Sequence, residues 1–142
     1  MNKNIFRLLV LVFVSLTIIA LLDALVLEQQ YPKSAVPYLE WFYALPRSPL
    51  QLMLPYIGLF LISIVMLSSI GMMLFNNIAR HVFTIATIFL AILDAIIGLS
   101  LGVPQMFTLI TIITGGIASY IVGAIIALSY WSNISENFVK RT

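Results

Sequence analysis

Four long apolar runs separated by short polar breaks make up most of the chain. The first extends from about Leu8 to Leu27 and stops at Glu28; the second runs from about Leu50 to Phe75 and ends at Asn76-Asn77. The third follows Arg80-His81 and reaches about Leu101, where Gly102 and Pro104 interrupt it, and the fourth covers about Met106 to Trp131. Each run is long enough for a helix across a hydrocarbon core of about 30 Å, and none alternates apolar and polar residues as a barrel strand does. The pattern predicts an all-α fold, an integral membrane four-helix bundle made of two helical hairpins, with residues 1–142 forming a single transmembrane domain.

The longest polar break, about 28–49, is divided by Pro32, Pro37, Pro46 and Pro49. Between them, Val36 to Tyr43 is expected to form about two helical turns, with Tyr38, Trp41 and Phe42 on one face. Two readings of that face stay open: an aromatic belt helix at the headgroups, or a lid over that end of the bundle.

Only 8% of the 142 residues are charged and 62% are hydrophobic, whereas a soluble domain carries about 25% charged residues. The few cations work as topology signals, and no nucleic-acid surface is expected. Lys3, Arg7, Arg80, Lys140 and Arg141 fall on the side of both termini, with Lys33 and Arg47 opposite. That bias predicts a multi-pass protein of the cell (inner) membrane with both termini cytoplasmic. The first run exceeds a signal-peptide core and lacks a clear Ala-x-Ala site, so it is expected to be a retained span. Cysteine is absent, which removes disulfides and thiol chemistry.

Two acids interrupt this apolar background. Ala20-Leu21-Leu22-Asp23-Ala24-Leu25-Val26 recurs as Ala91-Ile92-Leu93-Asp94-Ala95-Ile96-Ile97. A carboxylate in hydrocarbon costs roughly 2.5–3.5 kcal/mol on insertion scales, so such residues are rare unless used. The matching frames suggest a parallel internal repeat, both acid-bearing helices running the same way. Asp94 lies about 10 Å from the end of its run and Asp23 about 6 Å, which makes Asp94 the deeper of the two. Thr17, Thr87, Ser100, Thr108, Thr111, Thr114 and Tyr120 are potential hydrogen-bond partners. Either the acids are neutral and structurally hydrogen-bonded, or they line a wet site for a proton, cation or amine. A third use is docking a basic residue of another subunit.

Small residues mark a further pattern. Gly115, Ser119, Gly123 and Ala127 recur every fourth residue, and Ala91, Ala95 and Gly98 lie along one side of the third span beside Asp94. Such stripes let helix backbones approach, so the third and fourth helices are expected to pack closely; the alternative is that the fourth-span stripe faces another protomer or subunit.

Catalytic machinery is missing. His81 is the only histidine and reads as an interfacial residue; no metal-ligand cluster, phosphate loop or nucleophile motif occurs. No cofactor or metal is expected.

The layout resembles the DoxX-like small four-helix membrane proteins. The shared features are the short basic N-terminus, the Leu45-Pro46 turn followed by Ser48-Pro49, Gly71 near the end of span two, and Arg80 opening span three. The resemblance covers about Leu8 to Leu101 and implies a small subunit of the kind associated with quinone-linked oxidoreductases. An acid expected in span two is missing, and Asp94 has no counterpart, so no functional residue transfers.

Three functions follow from these readings. The first is a non-enzymatic accessory or assembly subunit, packing on itself as a homo-oligomer or on a partner membrane subunit among membrane lipids. The second is a proton- or cation-coupled transporter or channel-like oligomer using Asp23 and Asp94. The third is a lipid- or quinone-binding subunit of a membrane enzyme.

Overall fold

The computed structural model describes residues 2–27, 40, 49–101 and 109–139. Among them, four long helices and one short one occur, and no strand: α1 Lys3–Leu27, α2 Pro49–Met73, α3 Asn77–Leu101, α4 Leu109–Trp131 and α5 Ser135–Val139. The four long helices are long and apolar enough to cross a membrane, over Lys3–Asp23, Leu52–Met73, Asn77–Ile96 and Ile113–Trp131. The chain therefore has the makeup of a multi-pass membrane protein. The loop positions Tyr38, Trp41 and Phe42 lie outside the described residues.

Local chemistry sets the helix starts. The Asn4 N–H donates to the Asn2 side-chain oxygen at 3.1 Å, and the N–H groups of Ile78 and Ala79 donate to that of Asn76 at 2.9 and 3.2 Å. These asparagine caps satisfy N–H groups that a helix leaves open, so α1 and α3 begin about five residues before the apolar runs do. Pro49 opens α2, where its missing N–H is harmless.

Between α2 and α3 the turn is tight. The Asn76 N–H donates to the Gly71 carbonyl at 2.9 Å and that of Phe75 to Met72 at 3.0 Å, with Phe75 at φ 58°. This is a Schellman-type stop with phenylalanine where glycine is usual, a backbone choice that costs about 1–2 kcal/mol. Aromatic burial holds it: Phe75 meets Phe6 at 5.7 Å and Phe138 at 5.4 Å between ring centroids, and Phe6 meets Phe138 at 5.9 Å.

In packing, α2 lies along α3 and α1 along α4; α1 and α2 touch more lightly, and α3 and α4 barely meet. Here the structure corrects two expectations. Among the described residues, the closest pairs are not the predicted hairpins, and the third helix does not pack closely on the fourth. In α3 the buried positions Arg80, Phe83, Ala86 and Leu93 form a helical stripe. Leu93 reaches α2, where its Cδ2 would lie 3.6 Å from a Cβ on Gly58. Ala91 and Ala95 stay exposed, as do Ser119 and Gly123, while Gly115 and Ala127 are half-buried. Side-chain interlocking rather than burial alone decides which helices meet in lipid, and here large residues interlock elsewhere. Gly98 belongs to α3, but its surroundings are outside the described set.

Burial is uneven along the bundle axis. The core cluster comprises Phe6, Val10 and Phe13 of α1, Val65 and Met72 of α2, Phe75, Phe83 and Ala86, Ile125 of α4, and Ile134 and Phe138 around α5. All of these lie in the half nearer the termini. The short α5, unsuspected from the sequence, folds back to bury Phe138 fully at that end. On the outside, Leu8, Phe60, Leu67, Ile78 and Phe89 are exposed, an apolar surface suited to lipid.

Candidate functional site

Among the described residues, the opposite half of the bundle contains an opening. A cavity of about 480 Å³ lies between all four long helices. Phe13, Thr17 and Ala20 of α1, Ile62 and Val65 of α2, Thr87 and Asp94 of α3, and Thr114, Gly115 and Ser119 of α4 contribute to its wall. Toward the termini the lining ends at Phe13, Val65 and Val122. There Phe13 and the fully buried Phe83 meet edge to face at 5.8 Å, bridging helices that lie diagonally across the bundle. Laterally the cavity opens between α3 and α4, since Ala91, Asp94 and Ser119 both line it and remain exposed. Of the small residues expected to bring these helices together, Ala91, Gly115 and Ser119 instead line the cavity beside that gap.

Helical phase places Asp94 here: Thr87, Leu90, Ala91 and Asp94 recur at three- and four-residue steps along one face of α3. Among the described residues, no donor or cation is bonded to its carboxyl. The hydroxyls nearest in sequence pattern are engaged locally. Thr17 donates to the Phe13 carbonyl at 3.0 Å, Thr87 to Phe83 at 2.7 Å and Ser119 to Gly115 at 2.9 Å. Thr114 is buried and also has an interaction of its own.

Of the two sequence-predicted acids, only Asp94 lines the cavity. Asp23 is half-buried, has a partner of its own and does not contribute to the wall. Thr17, Thr87 and Thr114 do join Asp94 at the cavity, whereas Tyr120 points outward, 84% exposed.

A second polar locus, at the termini end, was hidden in the sequence. Arg80, expected to mark a membrane boundary, is 7% exposed. Its Nη1 donates to the Ser129 carbonyl near the end of α4 at 3.0 Å, and its Nη2 donates to the Asn77 side-chain oxygen. The guanidinium carbon lies 4.6 Å from the Tyr130 ring centroid and 5.2 Å from that of Phe138. Arg7 acts in parallel, its Nε donating to the Met73 carbonyl at the end of α2 at 3.0 Å while the guanidinium covers Phe75 at 5.3 Å. Both arginines thus supply cations to helix C-termini, where the backbone leaves unpaired carbonyls. The one available signal was phase: Arg80 shares its helix face with Phe83 and Thr87. His81 is exposed and its Nδ1 lies 2.8 Å from the Tyr130 hydroxyl. Among the described residues, no three His, Asp or Glu side chains gather as a metal site would need.

Comparison with protein-family models, with curated proteins and with solved structures finds no match to this chain.

Proposed function

We propose that the chain is a non-enzymatic membrane subunit that holds a small hydrophobic ligand between its helices, with Asp94 as the polar anchor. The observation that carries this reading is the cavity itself: about 480 Å³ of space beside a carboxyl with no bonded partner among the described residues, stopped at one end by Phe13 and Phe83. Ligand sites of small molecules have such volumes, mostly apolar walls and a few placed polar groups. A carboxyl in hydrocarbon without an internal partner is costly unless a ligand or a water engages it. The aromatic partition favours a binding pocket over a continuous path, so transport by this chain would require a second conformation or an oligomer.

In this reading the protein sits in the inner membrane with both termini cytoplasmic, as the basic residues favour. Among the described residues and apart from the surrounding backbone of α4, Gly116 and Gly123 have no atom within 4 Å of where a Cβ would stand, which favours a second copy or another subunit on that face of α4. The matching frames around Asp23 and Asp94 are read as a parallel repeat whose two acids have taken different roles. The DoxX-like outline agrees with an accessory role.

The test is native mass spectrometry of protein released from nanodiscs prepared without prior delipidation. The wild type is expected to carry a bound small molecule, and Gly115→Leu, which projects a side chain into open cavity space, is expected to lose it. A wild type that carries nothing beyond what Gly115→Leu carries overturns the proposal.

A further inference from the structure

Resting on the cavity reading above, we infer that the ligand presents a cationic, hydrogen-bond-donating head, that is, an amine on an apolar body. The inference comes from a census of protons in the wall. A threonine or serine hydroxyl has one proton to give and lone pairs to receive with. Those of Thr17, Thr87 and Ser119 are spent on the carbonyls of Phe13, Phe83 and Gly115, one helical turn back. Their oxygens remain acceptors. Among the described residues, no Asn, Gln, Lys, Arg, His, Trp or Tyr lines the cavity, so the described side chains there supply no N–H or phenolic donor. The carboxylate of Asp94 adds further acceptor positions and a negative charge.

A head group that only accepts (a quinone carbonyl, an ester, a carboxylate or a phosphate) would leave water and meet few donors on that wall, with the Thr114 hydroxyl and a protonated Asp94 as the candidates, and an unmade bond in an apolar site costs its full desolvation. An ammonium reverses the balance. Its N–H groups meet the Asp94 carboxylate, and a charge-assisted hydrogen bond is roughly twice as strong as a neutral one. The remaining wall, from Phe13, Leu16, Ile62, Val65, Leu90 and Val122, is apolar and fits an alkyl or aromatic body. The gap between α3 and α4 opens beside Asp94, so an amphiphilic amine can enter from the bilayer without crossing the aromatic partition.

Three probes of one shape separate the chemistry: naphthylmethylamine, naphthylmethanol and naphthoic acid. Binding of each is measured by equilibrium dialysis at neutral pH against protein in phosphatidylcholine nanodiscs, with empty nanodiscs subtracted. The wild type is expected to bind the amine about tenfold or more tighter than the alcohol, and the acid weakest. Asp94→Asn should erase the preference for the amine, Asp94→Glu should retain it, and Gly115→Leu should weaken all three probes. If the alcohol or acid binds as well as the amine and Gly115→Leu abolishes both, the amine assignment is overturned while the cavity reading stands. If no probe shows binding that Gly115→Leu removes, the cavity reading fails and takes the amine assignment with it. An Asp94→Glu protein that loses the amine preference, while folding and binding the alcohol normally, also overturns the assignment.

Discussion

Phe13 and Phe83 meet edge to face at 5.8 Å across the middle of the bundle, with the cavity on one side and the packed aromatic core on the other. Among the described residues the backbones of their two helices do not come close, and these two rings reach across the diagonal. In lipid much of the transfer term for truncating a buried ring is lost, and the packing and cavity terms remain. Phe83→Ala is therefore expected to destabilise the fold by roughly 1–3 kcal/mol, below the value usual for an aqueous core. Reversible unfolding in mixed micelles titrated with dodecyl sulfate measures this. A stability equal to wild type would mean that the rings do not form the partition.

Gly71 presents a sharper steric case. A Cβ there would stand 2.4 Å from the Cβ of Ala79, backbone-anchored and unable to yield. Gly71→Ala is expected to force α2 and α3 apart and cost roughly 1–3 kcal/mol, in line with other overpacking changes. Gly116→Ala and Gly123→Ala, where the space is open, are expected to leave monomer stability near wild type. If either lowers the oligomeric mass in detergent while monomer stability holds, the open face of α4 is where a partner packs.

Hydropathy alone exposed the four spans, because a run of about 20 apolar residues has few other stable homes. Their starts were less legible. Lys3 to Arg7 and Asn77 to His81 are polar enough to look like flanks, yet Asn2 and Asn76 cap them into helix. Pairing was harder still. In water an amphipathic face names its partner, but here apolar residues cover every face, and the stripes around Gly115 and Ala91 turned out to border a gap. The core formed instead from scattered phenylalanines whose contacts no spacing rule predicts. Asp94 was legible because a carboxylate in hydrocarbon is conspicuous by its cost. Arg80 was not, since a basic residue beside an apolar run ordinarily belongs at the membrane boundary.

That arginine has consequences of its own. It serves Ser129, Asn77 and the faces of Tyr130 and Phe138 at once, which a planar guanidinium can do and an ammonium cannot. Its Nε has no partner among the described residues, so the group is held by these contacts alone. Arg80→Lys keeps the charge and is still expected to lose roughly 1–3 kcal/mol, as buried carbonyls and stacking contacts go unserved. Hydrogen exchange should localise the damage, with amides of Ser135 to Phe138 exchanging faster as α5 comes away. Unchanged protection there would mean that the aromatic contacts hold α5 without the arginine.

Asp94 separates the structural and binding readings by the sign of a stability change. Were its carboxyl a structural hydrogen-bonding group, removing it would strand its partner and destabilise the bundle. Instead no bonded partner stands beside it among the described residues, and its side chain meets open cavity. Asp94→Leu is therefore expected to stabilise the protein, by up to about the 2.5–3.5 kcal/mol that a carboxylate costs in hydrocarbon. The same change should abolish amine binding, a gain in stability set against a loss of the ligand. Unfolding in micelles and probe dialysis on one preparation give both numbers. A loss of stability in Asp94→Leu would return the residue to the structural role that a hydrogen bond in lipid implies. Asp23, outside the cavity wall and already partnered, should behave differently: Asp23→Leu is expected to lower stability while amine binding persists.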